Sequence, residues 1–161
     1  MAINFIEPNK DGGALRVGIV VARFNEWACN AMLEACLAQL KNLGVKEENI
    51  TVVTVPGALE IPFALYQLYE STELEAMVAI GCVIRGETYH FELVANESSR
   101  GITDMIGAEA ISIANCILTV ENEEQAKARV VEKGTDAANV AVEMGNLKVR
   151  TDKLLGYGQA E

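Results

Sequence analysis

Apolar residues fall along this chain in two alternating rhythms. Residues 16–22 (RVGIVVA) form a continuous β-branched run, the pattern of a parallel strand buried on both faces. Residues 26–43 then carry apolar positions at helical spacing, with Asn25 placed as an N-cap and Gly44 as the stop. The alternation continues. Residues 50–55 (ITVVTV) predict a second strand, broken by Pro56 and Gly57, and residues 58–69 a helix whose Pro62 falls in or near the first turn, where proline is tolerated. Residues 76–84 (AMVAIGCVI) predict a third strand, residues 85–90 (RGETYH) a polar loop, and residues 91–108 a helix. A fourth strand lies within residues 111–120, and Asn122 opens a final helical region running toward residue 147.

Strand and helix in strict alternation predict an α/β fold, a parallel sheet with helices on both faces. Four strands make a small flavodoxin-like sheet with the expected order 2-1-3-4. Ligands in such sheets bind beyond the carboxyl ends of the strands. That rule directs attention to residues 23–25, 56–60, 85–90 and 121–122.

Length and charge narrow the picture. A chain of 161 residues is expected to form one domain over 1–161, since domains commonly run to about 100–150 residues. Thirteen Lys and Arg stand against 23 Asp and Glu, a net charge of −10. Such a surface repels nucleic acid and anionic membranes, so an anionic substrate needs a local positive site. The uncharged apolar runs are far shorter than the ~20 residues that span a bilayer. Residues 1–5 lack the basic start and apolar core of a signal peptide, which points to the cytoplasm. Cys29, Cys36, Cys82 and Cys116 form no CxxC pair and sit in apolar segments, as buried thiols in a reducing compartment do.

Few residues could carry chemistry. His90 is the only histidine, and it lies beyond a predicted strand end beside Gly86, Glu87 and Thr88. Imidazole gives and takes protons near neutral pH without special tuning, while glycine lets a ligand approach backbone N–H groups at a helix start. Taken blandly, the same segment is a strand-to-helix turn capped by Thr88. Glu60 follows the second strand as either a helix-start carboxylate or an acceptor for ligand hydroxyls. Phe24 follows the first strand and could stack on a flat ring. Arg129 and Lys133 are an ordinary i,i+4 pair when taken alone, yet arginine matches phosphate bidentately. The chain has no GxGxxG, GxxxxGK[ST] or GxSxG, so dinucleotide, NTP and hydrolase-elbow chemistry lack support. One histidine and scattered cysteines offer no ligand set for a catalytic metal. Condensation of an amine with a carbonyl fits these limits, because it needs mainly orientation and proton transfer.

Together the segments ARFN (22–25), VPGALEIP (55–62), GCVIRGETYHFELVANESSRGI (81–102), ENEEQAKAR (121–129) and KGTDAANVAVEM (133–144) resemble the lumazine synthase family in order and spacing. The resemblance runs from about residue 16 to residue 147. It implies condensation of 5-amino-6-(D-ribitylamino)uracil with 3,4-dihydroxy-2-butanone 4-phosphate, without cofactor or metal. Carried over by motif, Phe24 stacks on the pyrimidine, Ala58, Leu59 and Glu60 line the ribityl chain, and Cys82, Val83 and Ile84 meet the ring's polar edge. Glu87 and Thr88 hold the phosphate end of the second substrate, Arg129 pairs with the phosphate, Lys133 assists, and His90 shuttles protons. Leu59 replaces an aromatic residue common in the family. Asn115 stands where the family carries a phenylalanine that covers the ring, and the stretch between Arg129 and Lys133 is shorter than the common form.

The resemblance also implies a homo-oligomer of pentamers with active sites between subunits. The Arg129 segment would come from the neighbour, residues 1–10 would form an arm pairing with a neighbouring subunit, and riboflavin synthase is a candidate partner. The rival readings are an archaeal-type riboflavin synthase and a flavin-binding or shell-forming relative without turnover. The intact GETYH stretch, and His90 together with Arg129, favour lumazine synthesis.

Overall fold

The four strands assemble as a parallel sheet in the order β2-β1-β3-β4, as the sequence predicts. In the computed structural model, which describes residues 2–156, they are β1 (Val17–Ala22), β2 (Ile50–Val55), β3 (Ala76–Ile84) and β4 (Ser112–Val120). Met1 of the expected arm and residues 157–161 of the expected domain lie outside the described residues. Strand β1 is buried along its whole length and β3 along all but its last residue, as central strands covered on both faces must be. Helices α1 (Glu26–Asn42) and α5 (Val130–Leu154) pack on one face, and α2 (Ile61–Ser71) and α3 (His90–Glu109) on the other. The short helix α4 (Glu123–Lys127) lies between β4 and α5. The core runs through both layers, with Ile19, Met32, Leu65, Met77, Ile80 and Ile102 fully enclosed.

Several boundaries differ from expectation for identifiable reasons. Strand β1 starts after Arg16, whose backbone N–H donates to Glu75 Oε2 at 2.8 Å while its guanidinium pairs with Glu73 and Glu75. Asn25 does not cap α1 through its side chain; its backbone is left-handed, at φ 57 and ψ 52. Gly44 does stop that helix, at φ 94, a region glycine enters without a Cβ clash. Residues 58–60 form a 3₁₀ turn before α2, leaving Pro62 in the first turn of the α-helix. Helix α3 begins at His90, which is therefore a helix residue rather than a loop one.

The final helical region is two helices. Asn122 caps the first, its Oδ1 accepting the Gln125 N–H at 2.9 Å. Ala128 and Arg129 form a turn between α4 and α5, with Arg129 widened to φ −119. Helix α5 then runs past residue 147 to Leu154, because the polar stretch that ends the apolar pattern still holds good helix formers and a Lys148–Asp152 ion pair at i,i+4.

Strands β2 and β4 are the sheet edges. Much of β2 is open to solvent. Residues 2–10 form neither helix nor strand, and Ile3 and Phe5 are 81% and 78% exposed. The base of this arm is tied to α5 by the Asn146 amide, which donates to the carbonyls of Asn9 at 2.8 Å and Asp11 at 2.9 Å. Among the described residues no helix is long and apolar enough to cross a membrane.

Candidate functional site

The sheet splits at its carboxyl end. Strands β1 and β3 pair from Val17 opposite Ala76 to Val21 opposite Ile80 and then part. Strand β1 continues beside β2, the N–H groups of Arg23 and Phe24 donating to the carbonyls of Val55 at 2.8 Å and Pro56 at 3.1 Å. Strand β3 continues beside β4 to Ile84 opposite Val120. The parting is the topological switch point, where open α/β sheets form a crevice. A cavity of about 470 Å³ occupies it.

Nine of the residues singled out in the sequence line this one cavity: Phe24, Ala58, Leu59, Glu60, Cys82, Val83, Ile84, Thr88 and His90. Phe24 stands 71% exposed just past the end of buried β1 and lines the cavity. Glu60 ends the 3₁₀ turn after Gly57, which places it in the cavity lining. His90 opens α3, and its backbone N–H donates to Thr88 Oγ1 at 3.3 Å. The amino-terminal end of this helix lines one side of the cavity, where the helix macrodipole favours an anion. Burial pushes the Cys82 thiol up to about 11, so it stays protonated at neutral pH and is no nucleophile. All four cysteines are free and buried.

Four expected residues do not line the cavity. Glu87 lies exposed in the loop after β3. Asn115 sits in the middle of β4, opposite Ala79. Its Oδ1 accepts the Ile117 N–H at 3.0 Å and its Nδ2 donates to Ser99 Oγ at 3.4 Å. Arg129 stands at the N-cap of α5 and donates from Nη1 to the Gln125 carbonyl at 3.0 Å. Lys133 follows one turn later, its N–H donating to the Arg129 carbonyl at 2.9 Å. Both are exposed. Among the described residues, no three His, Cys, Asp or Glu side chains gather as a metal site requires.

The structure also adds residues. Phe91 and Val94 line the cavity beside His90; Val94 lies four residues on, the spacing that shares a helix face, so a helix start at residue 90 would have revealed it. Arg85 forms ion pairs with Glu92 and Glu121, and its guanidinium carbon lies 4.4 Å from the centre of the Phe91 ring. Hydrogen bonding to Arg85 holds the Glu92 carboxyl below the usual carboxylate range. Arg85 thereby joins the end of β3, the first turn of α3 and the segment leading to Arg129.

Fold and site together define a flavodoxin-like α/β protein whose switch-point pocket presents an aromatic face, a carboxylate and a single imidazole to a small polar molecule. The family model for 6,7-dimethyl-8-ribityllumazine synthase matches residues 14–149, and the chain belongs to that family. Relatives bearing that name include proteins of Paraburkholderia phytofirmans, 57% identical over 157 residues (97% of this chain and 93% of the relative), and Paraburkholderia phymatum, 55% identical over 156 residues (97% and 91%). A third, from Burkholderia multivorans, is 55% identical over 154 residues (96% and 90%). The protein is an enzyme, a transferase of riboflavin biosynthesis.

Proposed function

We propose that the protein condenses 5-amino-6-(D-ribitylamino)uracil with 3,4-dihydroxy-2-butanone 4-phosphate, giving 6,7-dimethyl-8-(1-D-ribityl)lumazine, phosphate and water. The observation that carries this reading is the gathering of Phe24, Glu60 and His90 around one switch-point cavity in a member of this family. The pyrimidine stacks on Phe24 with its polar edge along the backbone of Cys82, Val83 and Ile84, and the ribityl hydroxyls reach Glu60 past Ala58 and Leu59. The phosphate of the second substrate sits at the start of α3, near Glu87 and Thr88, where helix N–H groups and the macrodipole favour it. His90 moves protons as the amine and carbonyl form an imine, as phosphate leaves and as the ring closes. Binding supplies most of the remaining acceleration by orienting two intrinsically reactive molecules.

The positive charge for the phosphate comes from a neighbouring subunit, whose Arg129 and Lys133 complete the site while its Asn115 flanks the ring. Two observations support this. All three residues lie off their own chain's cavity, and the acidic protein offers no free cation on the cavity wall among the described residues. The arm at residues 1–10 extends a neighbour's sheet, which suits its exposed Ile3 and Phe5 and the open edge at β2. Residues 1–161 form one domain, assembled into pentamers in the cytoplasm, and riboflavin synthase is the partner that consumes the product.

Mixing the two substrates with the protein and following lumazine fluorescence tests the reading. Product is expected, and His90→Ala should slow its formation by about 10²–10⁴-fold, the range of general acid–base help. No product from the wild-type protein overturns the proposed reaction, and an unchanged rate in His90→Ala removes His90 from it.

A further inference from the structure

The strand-end motif that supplies Phe24 also supplies Asn25, to which the reading above gives no part. Asn25 is set apart by its backbone and by its side chain. Its φ of 57 and ψ of 52 are left-handed, a conformation that glycine and asparagine adopt more readily than other residues. Its side chain turns away from α1 and donates from Nδ2 to the carbonyl of Cys82 at 2.8 Å. Because a carbonyl only accepts, this contact fixes which end of the amide faces β3.

The place of that bond matters more than its length. Cys82 lies beyond the last paired residues of β1 and β3, where the two strands have parted. The Asn25 amide therefore spans the opening of the crevice, one step past the backbone ladder. The segment it belongs to is anchored on both sides. The N–H groups of Ala28 and Cys29 donate to the Asn25 carbonyl at 3.0 and 3.2 Å, and Phe24 is held by the bond to Pro56 and by the Cys29 thiol on its carbonyl. Phe24 forms one wall of the cavity and Cys82 another, so the amide ties one to the other.

We infer that Asn25 is a positioning residue: its amide sets the width of the slot between Phe24 and the backbone of Cys82–Ile84, and so the fit of the pyrimidine ring. This rests on placing that ring between those two walls. Asn25 does not line the cavity and acts through its two neighbours. Removing the amide leaves the buried Cys82 carbonyl without this partner and frees the Phe24 segment to shift. His90 and Thr88 are held by the β3–α3 connection and α3 instead, so binding of the phosphate-bearing substrate does not depend on the amide.

Asn25→Asp and Asn25→Gly test this, because both tolerate the left-handed backbone and neither can donate to Cys82 as the amide does at neutral pH. The expected result in both is a KM for the pyrimidine substrate raised about tenfold, the scale of one lost buried hydrogen bond. The KM for the phosphate substrate, kcat and assembly size should stay close to wild type, while Tm falls by about 2–4 °C, because the Cys82 carbonyl loses its partner in the free protein as well. Phe24→Ala, measured alongside, should raise the same KM. A wild-type pyrimidine KM in the Asn25 variants beside a raised one in Phe24→Ala overturns the role of Asn25 alone. Equal rises in both KM values, or a loss confined to kcat, also overturn it, as does failure of both variants to assemble, which would assign Asn25 to folding. An unchanged KM in Phe24→Ala instead removes the ring placement on which the role depends.

Discussion

A phenylalanine left 71% exposed at the end of a buried strand forgoes most of the roughly 1.5–3 kcal/mol that burying its side chain would contribute. Phe24 keeps that exposure because its backbone is fixed by the Val55–Pro56 pairing and by left-handed Asn25, which turn the ring out over the cavity. The cysteines behave oppositely: burial pushes the thiols of Cys29, Cys36 and Cys116 up to about 12. The ordinary value is 9.0, so between 9.0 and about 12 the unfolded chain loses thiol protons that the folded chain retains. Folding is then favoured fully below about pH 9 and progressively less above it. Thermal unfolding should show Tm falling as pH rises from about 9 to 11, and Cys36→Ala should flatten that fall. Equal slopes for variant and wild type would show that the thiols do not drive it.

Among the elements, α1 and α5 approach so closely that side-chain size decides stability. A Cβ on Gly134 would lie 2.3 Å from the Met32 carbonyl oxygen and 3.0 Å from the Ala35 Cβ. Backbone on the facing helix must shift to admit it, which costs about 1–3 kcal/mol and outweighs the helix propensity of ~1 kcal/mol that alanine gains over glycine. Gly107 in α3 has no atom within 4 Å of its notional Cβ, so there propensity acts alone. Gly134→Ala should therefore lower Tm while Gly107→Ala raises it slightly, and differential scanning calorimetry of the two variants checks the opposite signs. A raised Tm in Gly134→Ala would mean that α5 can move away from α1 at little cost.

For the whole molecule, the distribution of charge matters most. With a net charge of −10, the cations available to a phosphate are few, and Arg85 is already engaged by Glu92 and Glu121. Arg129 and Lys133 remain exposed but off their own chain's cavity. The shared-site reading makes a prediction that a one-chain pocket cannot match. His90→Ala and Arg129→Ala proteins, unfolded together and reassembled in equal amounts, should form about one interface in four with both residues intact, by random pairing in a head-to-tail ring. Product formation in the mixture should rise well above either parent. Activity no higher than the parents' average would place both residues in one site of one chain.

Much of this was legible in the sequence because the governing physics is local. The unbroken β-branched run at 16–22 could only be a strand covered on both faces, and the period change after it could only be a helix, so element order and sheet order followed. The strand-end rule picks out Phe24, Glu60 and His90 from the sequence, since chain topology alone decides where carboxyl ends gather. Other features depended on contacts between residues distant in the chain. Asn25 looks like an ordinary N-cap until β3 lies alongside, where its amide donates to the Cys82 carbonyl and its side chain makes no capping bond to α1. The Arg85 clamp joins residues 7 and 36 positions away, separations that carry no periodic signal. The sequence by itself determined the four strands, their order and which chemical groups reach the sheet's carboxyl end, because periodicity and turn chemistry act over a few residues. Only the tertiary structure decided which of those groups share a cavity, because that depends on where β1 and β3 part and on the side chain that bridges the gap.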